Sequence, residues 1–199
     1  MSQEKNSFTI YKFLEEKNLL KNSPEYWWPN AGTFEVVVGA ILTQNTTWKS
    51  VEKSLKNLKG FLDLESFLSL SEEQLKEKIR PSRFYNQKAP RLLRLSQNLQ
   101  NDFKDFNTFQ KEVSREWLLA QKGVGEESAD AILCYGCFRA QMVVDTYTKR
   151  LLQEFGISFK KYAEYKSFLE ESFSEFTEEE QFFYFAKFHG MLVEYNKQL

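Results

Sequence analysis

The hydrophobic positions of this chain recur at helical spacing almost from end to end. In SFTIYKFLEEKNLL, Ile10, Phe13 and Leu14 fall at i, i+3 and i+4, on one helix face. TFEVVVGAILTQ is ambiguous, because three consecutive valines favour a strand. Phe34, Val37, Val38, Ile41 and Leu42 nevertheless follow i, i+3, i+4, i+7 and i+8, and Thr33 suits an N-cap, so a helix is predicted. WKSVEKSLKNLKGF repeats the pattern through Val51, Leu55 and Leu58, with Gly60 as its C-cap.

DLESFLSL and SEEQLKEKI read as short helices with acidic first turns, and Ser71 with Gln74 fits a capping box. Pro81 breaks the chain. NQKAPRLLRLSQNLQNDF resumes a helix, with Pro90 inside it or near its start. NTFQKEVSREWLLAQ reads as one amphipathic helix ending at Lys122–Gly125, and EESADAILCYGCF as the next. DTYTKRLLQEF, closed by Gly156, KKYAEYKSFLEESF and TEEEQFFYFAKFHGMLVEYNK complete the chain. No repeat, low-complexity tract or Pro/Gly linker interrupts it, and the fold class is all-α.

The 199 residues suffice to bury a core, in one domain or two small lobes. The scarcity of Gly and Pro, at 8 and 4, argues against an all-β protein full of turns. No segment is apolar for 18 residues and MSQEKNSF lacks an apolar core, so no membrane span and no secretory signal are expected. A cytoplasmic setting follows as an expectation. The net charge of −1 does not by itself suggest nucleic acid, but charge is unevenly spread. KEKIRPSRFYNQKAPRLLR (76–94) holds seven basic residues against one acidic, and EESFSEFTEEE (170–180) holds six Glu and no base. Two solvated helix faces explain this, as does a basic DNA-facing surface with an acidic back.

Cys134 and Cys137 form a C-x-x-C inside an apolar run, with no second pair and one His, His189, in the chain. They are read as reduced structural thiols rather than a redox pair or half a metal site.

The stretch QKGVGEESADAILCYGCFRAQMVVDTYTKRLL (121–152) has two glycines and an Asp twenty residues after the second, close to a dinucleotide-binding rhythm. That reading needs a preceding strand and a third glycine, whereas SREWLLAQK is helical and the third position is Ser128. What remains is helix, Gly-Val-Gly hairpin, helix. Two glycines let the backbone turn tightly and approach a partner, and the N–H groups opening the next helix suit a phosphate. Such a hairpin holds the DNA backbone without reading sequence, with Lys122 adding charge at the rim. Taken alone, Gly123-Val124-Gly125 is better explained as an ordinary helix–helix connection.

The longer pattern resembles the helix–hairpin–helix/GPD DNA glycosylase superfamily, which includes endonuclease III. Gly123-Val124-Gly125, Ala129-Asp130-Ala131-Ile132-Leu133 and Val144-Asp145-Thr146 through Arg150 match its hairpin, following helix and V-D-T-x-x-x-R motif. LTQNTTWKSV (42–51) and RFYNQKAPRL (83–92) resemble two further motifs, in family order. EYWWPN, ILTQNT, FYNQKA, REWLLAQKG and FHG look like the bacterial type III 3-methyladenine DNA glycosylases.

The resemblance implies a two-lobed helical glycosylase fold. Residues 1–22 and 140–199 would form a terminal lobe and 23–139 a barrel lobe, with the helix–hairpin–helix at about 114–138 and the active-site cleft between lobes. It implies a monofunctional DNA glycosylase of base excision repair that hydrolyses the N-glycosidic bond of flipped-out 3-methyladenine and leaves an abasic site. Another lesion class, oxidised or mismatched, and a non-catalytic DNA-binding module are the alternatives; Asp145 argues against the last. Asp145 is the implied catalytic carboxylate, stabilising oxocarbenium-like charge on the sugar. It also suits the N-cap of TYTKRLL, and the two roles are compatible. Glu127 stands where nicking relatives carry a Lys nucleophile, and a carboxylate forms no imine.

Trp27, Trp28, Pro29 and Trp48 are the expected pocket for a flipped cationic purine, held by stacking and a cation–π attraction of about 0.5–2 kcal/mol. Gln44 falls at the family's polar wedge, Tyr85 is expected to be structural and Lys88 to face phosphate. No cofactor is expected, because the family's iron–sulfur cluster needs four Cys after the last helix and the chain has none there. The Phe-rich C-terminal helix would do its structural work. Arg83 replaces a family Gly, Gln121-Lys122 a Leu-Pro, and Met191 a Lys or Arg. His189 is assigned to helix packing in preference to a general-acid role. The partner is duplex DNA with a damaged base, with no membrane; the protein is expected to be a monomer in a bacterial cytoplasm, acting at the nucleoid.

Overall fold

A computed structural model describes residues 6–198; the first five residues of MSQEKNSF and of the expected terminal lobe, and residue 199, lie outside the described residues. Among the described residues there is no strand. The chain divides into two compact units, Met1–Pro29 with Leu133–Leu199, and Asn30–Ile132. No helix is long and apolar enough to cross a membrane among the described residues.

The discontinuous unit contains α1 (Ser7–Glu15), α10 (Thr146–Glu154), α11 (Tyr162–Glu171) and α12 (Glu178–Asn196). Its core is aromatic: Tyr11, Phe173, Phe185 and Phe188 pack with Leu14, Leu151, Leu152 and Leu192. Rings meet edge to face around Phe173 and Tyr11 at centroid separations of 5.5–5.7 Å, a geometry that adds to area burial. Thr177 and Glu180 close a reciprocal capping box at the start of α12.

The continuous unit holds α2 (Phe34–Leu42), α3 (Trp48–Asn57), α4 (Leu64–Leu68), α5 (Glu72–Ile79), α6 (Tyr85–Phe103), α7 (Phe106–Glu112), α8 (Arg115–Leu119) and α9 (Glu126–Ala131). The valine run forms a helix because α2 is central: eight of its nine residues are buried, against α3, α6 and α9. Thr33 occupies the N-cap position without capping; its hydroxyl donates to Asn30 O at 2.7 Å. The predicted Ser71–Gln74 capping box is present.

Two predicted elements are more broken than periodicity suggested. NTFQKEVSREWLLAQ is two short helices, because Asp105 and Ser114 each cap a new start. The helix after the hairpin passes from α9 into a π-type segment, Ile132–Gly136. In contrast α6 runs through Pro90 in its second turn, forfeiting one backbone bond.

Pro81 lies in a 3-10 turn, Arg80–Ser82, followed by two residues with positive φ, Arg83 (51°) and Phe84 (47°). Arg83, with ψ 162°, sits in a region that strongly favours glycine, and costs about 1–3 kcal/mol of strain. This is the position where the family pattern has Gly. Arg83→Gly is therefore expected to raise stability by about 1 kcal/mol after the added chain entropy of glycine is subtracted, read as a higher urea midpoint with an unchanged slope.

Candidate active site

Buried Val143 and Val144 anchor the segment that delivers Asp145 to the N-cap of α10. Asp145 Oδ1 accepts from the Thr148 backbone N–H at 2.7 Å and from its hydroxyl at 2.9 Å. The other oxygen, Oδ2, lies 3.5 Å from Nε2 of His189 on α12, and the carboxylate side chain is 14% exposed. The His189 contact is close but not aligned as a formed hydrogen bond, since Nε2 is a buried atom without a hydrogen-bond partner. Burial pushes the Asp145 carboxyl up, but the facing imidazole and the two Thr148 donors outweigh it and hold it below the usual carboxylate range. A fixed, largely buried anion is suited to stabilising developing positive charge.

An aromatic assembly surrounds this pair. Trp27 has φ 64°, donates its indole N–H to Glu194 Oε1 at 2.9 Å, and meets the His189 ring edge to face at 5.1 Å. Gly190 is what lets it lie there: a Cβ on Gly190 would fall 2.5 Å from Trp27 Cγ. Trp28 does not stand beside it as a pocket wall. It is 6% exposed and packs on Tyr135 at 5.2 Å, because the turn that half-exposes Trp27 directs the next ring inward. Pro29, half-buried, closes this unit's first segment.

The hairpin belongs to the other unit. Gly123 has φ 90°, a conformation that favours glycine, and the Arg91 side chain fills the space beside it, its Cδ 2.5 Å from where a Cβ would lie. Val124 is buried and anchors the turn, Gly125 is the N-cap of α9, and Lys122 is exposed. Arg115 of α8 forks onto the fully buried carboxylate of Asp130 on α9 at 2.7 and 3.1 Å, fixing the two helices of the motif.

Two expectations need correction here. Gln44 does not project as a wedge: its amide donates to Gly123 O and to Ser128 Oγ, both at 2.9 Å, bracing the hairpin from the end of α2. Lys88 does not face phosphate: it is 2% exposed and donates to Leu42 O (2.8 Å) and Ser82 O (2.7 Å). Burial pushes the Lys88 amine down to about 8. Each side chain satisfies backbone carbonyls left over where helices end, a demand that motif matching does not register. The neighbouring Asn45, exposed with φ 52°, and Phe84, 55% exposed, share with Gln44, Gln87, Lys88 and Arg91 a hollow of about 110 Å³. Trp48 opens α3, half-buried, with its indole N–H on Glu52 at 3.0 Å.

Residues 38–175 match the HhH-GPD superfamily of base excision DNA repair proteins. The chain belongs to that superfamily. It is 45% identical to H. pylori 3-methyladenine DNA glycosylase, in a crystal structure with bound 1,N6-ethenoadenine, at a TM-score of 0.92 covering 97% of this chain and 98% of that one. It is 38% identical over 200 residues to a presumptive DNA repair glycosylase of Methanocaldococcus jannaschii, spanning 96% of this chain and 87% of that one. Endonuclease III of Treponema pallidum is 32% identical over 135 residues, 67% of this chain and 61% of that protein. The protein is thus a DNA glycosylase whose substrate is DNA.

In this glycosylase Cys134 and Cys137 are buried and form no disulfide, and burial pushes the Cys137 thiol up to about 12, far from a reactive thiolate. Among the described residues no group of three or more His, Cys, Asp or Glu is placed to hold a metal ion. The structure brings Asp145 and Trp27 together around His189, which the sequence reading placed in helix packing in preference to a general-acid role. The FHG match was the sequence signal for that position, but nothing in it revealed the contact with Asp145. Glu194, which accepts the Trp27 indole N–H, carries no sequence signal.

Two outcomes check these assignments. Gly190→Ala should displace Trp27, costing about 1–3 kcal/mol of stability by overpacking and lowering base release at least tenfold at saturating enzyme. Lys122→Ala should reduce the log–log salt slope of DNA binding by about one, whereas Lys88→Met should leave that slope unchanged and lower the melting temperature.

Proposed function

We propose that this DNA glycosylase is monofunctional and excises 3-methylated purines, chiefly 3-methyladenine, from duplex DNA. The observation carrying the reading is the Asp145 carboxylate, buried and held ionised, in one assembly with the half-exposed ring of Trp27. The 45% identity to a 3-methyladenine glycosylase over nearly the whole chain supports the same substrate class.

A purine methylated at N3 is cationic, so its departure needs no proton from the enzyme. The C1′–N bond breaks with its electron pair leaving on the base, and positive charge grows on the sugar. Asp145 stabilises that charge and orients the water that adds to C1′, taking up the proton water releases. Trp27 stacks on the electron-poor base, and Trp48 is a second proposed base contact. The Gly123-Val124-Gly125 turn, with the first-turn N–H groups of α9 and the charge of Lys122, is the proposed phosphate contact. Gly125 fits that use: its φ is −97° and a Cβ would meet nothing within 4 Å, so the fold itself does not demand glycine.

The absence of strand cleavage is read from Glu127, exposed in the first turn of α9 at the position of the lysine in nicking relatives. Asp145→Asn should keep the helix cap and lower release of 3-methyladenine from methylated duplex DNA by at least a hundredfold; release at the wild-type rate would refute the mechanism. Trp48→Ala is expected to weaken excision more than duplex affinity, and an equal loss of both would remove Trp48 from the proposed pocket.

A further inference from the structure

His189 is the only histidine in the chain, is 3% exposed, and lies between the two groups to which the proposed chemistry is assigned. One ring edge faces the Asp145 carboxylate, and the ring packs edge to face with Trp27. On its other side Nδ1 is 2.8 Å from the hydroxyl of Tyr135, which also reaches Ala186 O at 3.1 Å. A phenol has one hydrogen to give. If it goes to Nδ1, the neutral ring carries its own hydrogen on Nε2. If it goes to Ala186 O, Nδ1–H donates to the phenol oxygen and Nε2 would present a lone pair to a carboxylate 3.5 Å away in a buried site, so the first arrangement, with Nε2–H toward Asp145, is the favoured one.

We infer that His189 is a positioning residue for Asp145, with Tyr135 setting the ring so that an Nε2–H edge steers Oδ2 and keeps the carboxylate oriented and ionised. This rests on the reading of Asp145 as the working anion. The division of labour follows from geometry. Thr148 holds Oδ1 from α10, and His189 addresses Oδ2 from α12, so the carboxylate is held from two helices that pack together within one unit. A small approach of α12 turns the present 3.5 Å contact into a charge-assisted hydrogen bond, consistent with catalytic bonds that tighten only with substrate in place.

Of the other groups facing the pair, Thr148 also lowers the Asp145 carboxyl, but through Oδ1 alone, and none of the rest replaces the imidazole at Oδ2. Tyr135, from the π segment beside Cys134, is pushed well above its ordinary range by burial and stays neutral. Thr148 is uncharged. Lys149 of α10 lies over the ring of Tyr165. Glu194, farther along α12, is engaged by Trp27 and by Lys197 at 2.7 Å. Removing the imidazole removes an influence that lowers the Asp145 pKa. The carboxylate then takes up its proton at a higher pH, and the acid limb of the rate profile moves to higher pH.

The test measures single-turnover release of 3-methyladenine against pH for the full-length wild type, His189→Leu, His189→Gln and Asp145→Asn, together with DNA affinity and the imidazole nitrogen resonances. One histidine makes those resonances unambiguous. His189→Leu should lower the plateau rate about tenfold, move the acid limb to higher pH and leave DNA affinity unchanged; His189→Gln, which keeps an N–H donor, should restore most of the rate. Asp145→Asn should shift the Nε2 resonance of His189. An unmoved acid limb in both His189 variants, or unmoved imidazole resonances in Asp145→Asn, overturns the inference. If His189→Leu does not fold, His189→Gln and the resonances decide. Wild-type activity in Asp145→Asn instead refutes the mechanism proposed for Asp145, a different failure from the loss of the contact itself.

Discussion

The carboxylate of Asp145 is constrained before any substrate arrives, and the candidate chemistry depends on that constraint. Its Oδ1 is spent on the first turn of α10, accepting two donors from Thr148. A cap of this kind is worth about 1 kcal/mol to the helix, so the fold itself keeps the residue in one rotamer. Oδ2 remains for the interior of the site, beside His189. Folding and reactivity therefore share one side chain. Asn caps a helix about as well as Asp, so substitution by Asn removes the charge and keeps the cap.

The second constraint is the satisfaction of backbone groups at helix ends. The continuous unit is built of short helices around the buried α2, and each end leaves carbonyls that a dry interior cannot tolerate. Lys88 and Gln44 answer that demand at Leu42, Ser82 and Gly123. The hairpin is braced by the Gln44 amide on Gly123 O, and its two helices are tied by the Arg115–Asp130 pair. Its two glycines then differ in kind. Gly123 is favoured by the turn's own positive φ, whereas at Gly125 a Cβ would meet nothing within 4 Å.

What the sequence could show follows from this division. Period-3.6 spacing shows wherever one face of a helix is buried, so α1, α3 and α6 were legible. For α2 the valine run obscured strand against helix, and its burial on all sides is the reason. The hairpin and Asp145 were legible because they form a local motif with fixed spacing. Gln44, Lys88 and Trp28 were assigned outward because a motif position gives no direction; only the neighbours decide that, and those neighbours are distant in sequence. His189 is the same problem reversed. It is 44 residues from Asp145 in the chain, and only the packing of α12 on α10 brings them within 3.5 Å.

The most direct test of the account is the product of the reaction on methylated duplex DNA with the protein alone. Free 3-methyladenine with an intact strand that breaks only on later treatment with alkali is the predicted result. Strand breakage without alkali, or no release of methylated base, would contradict it.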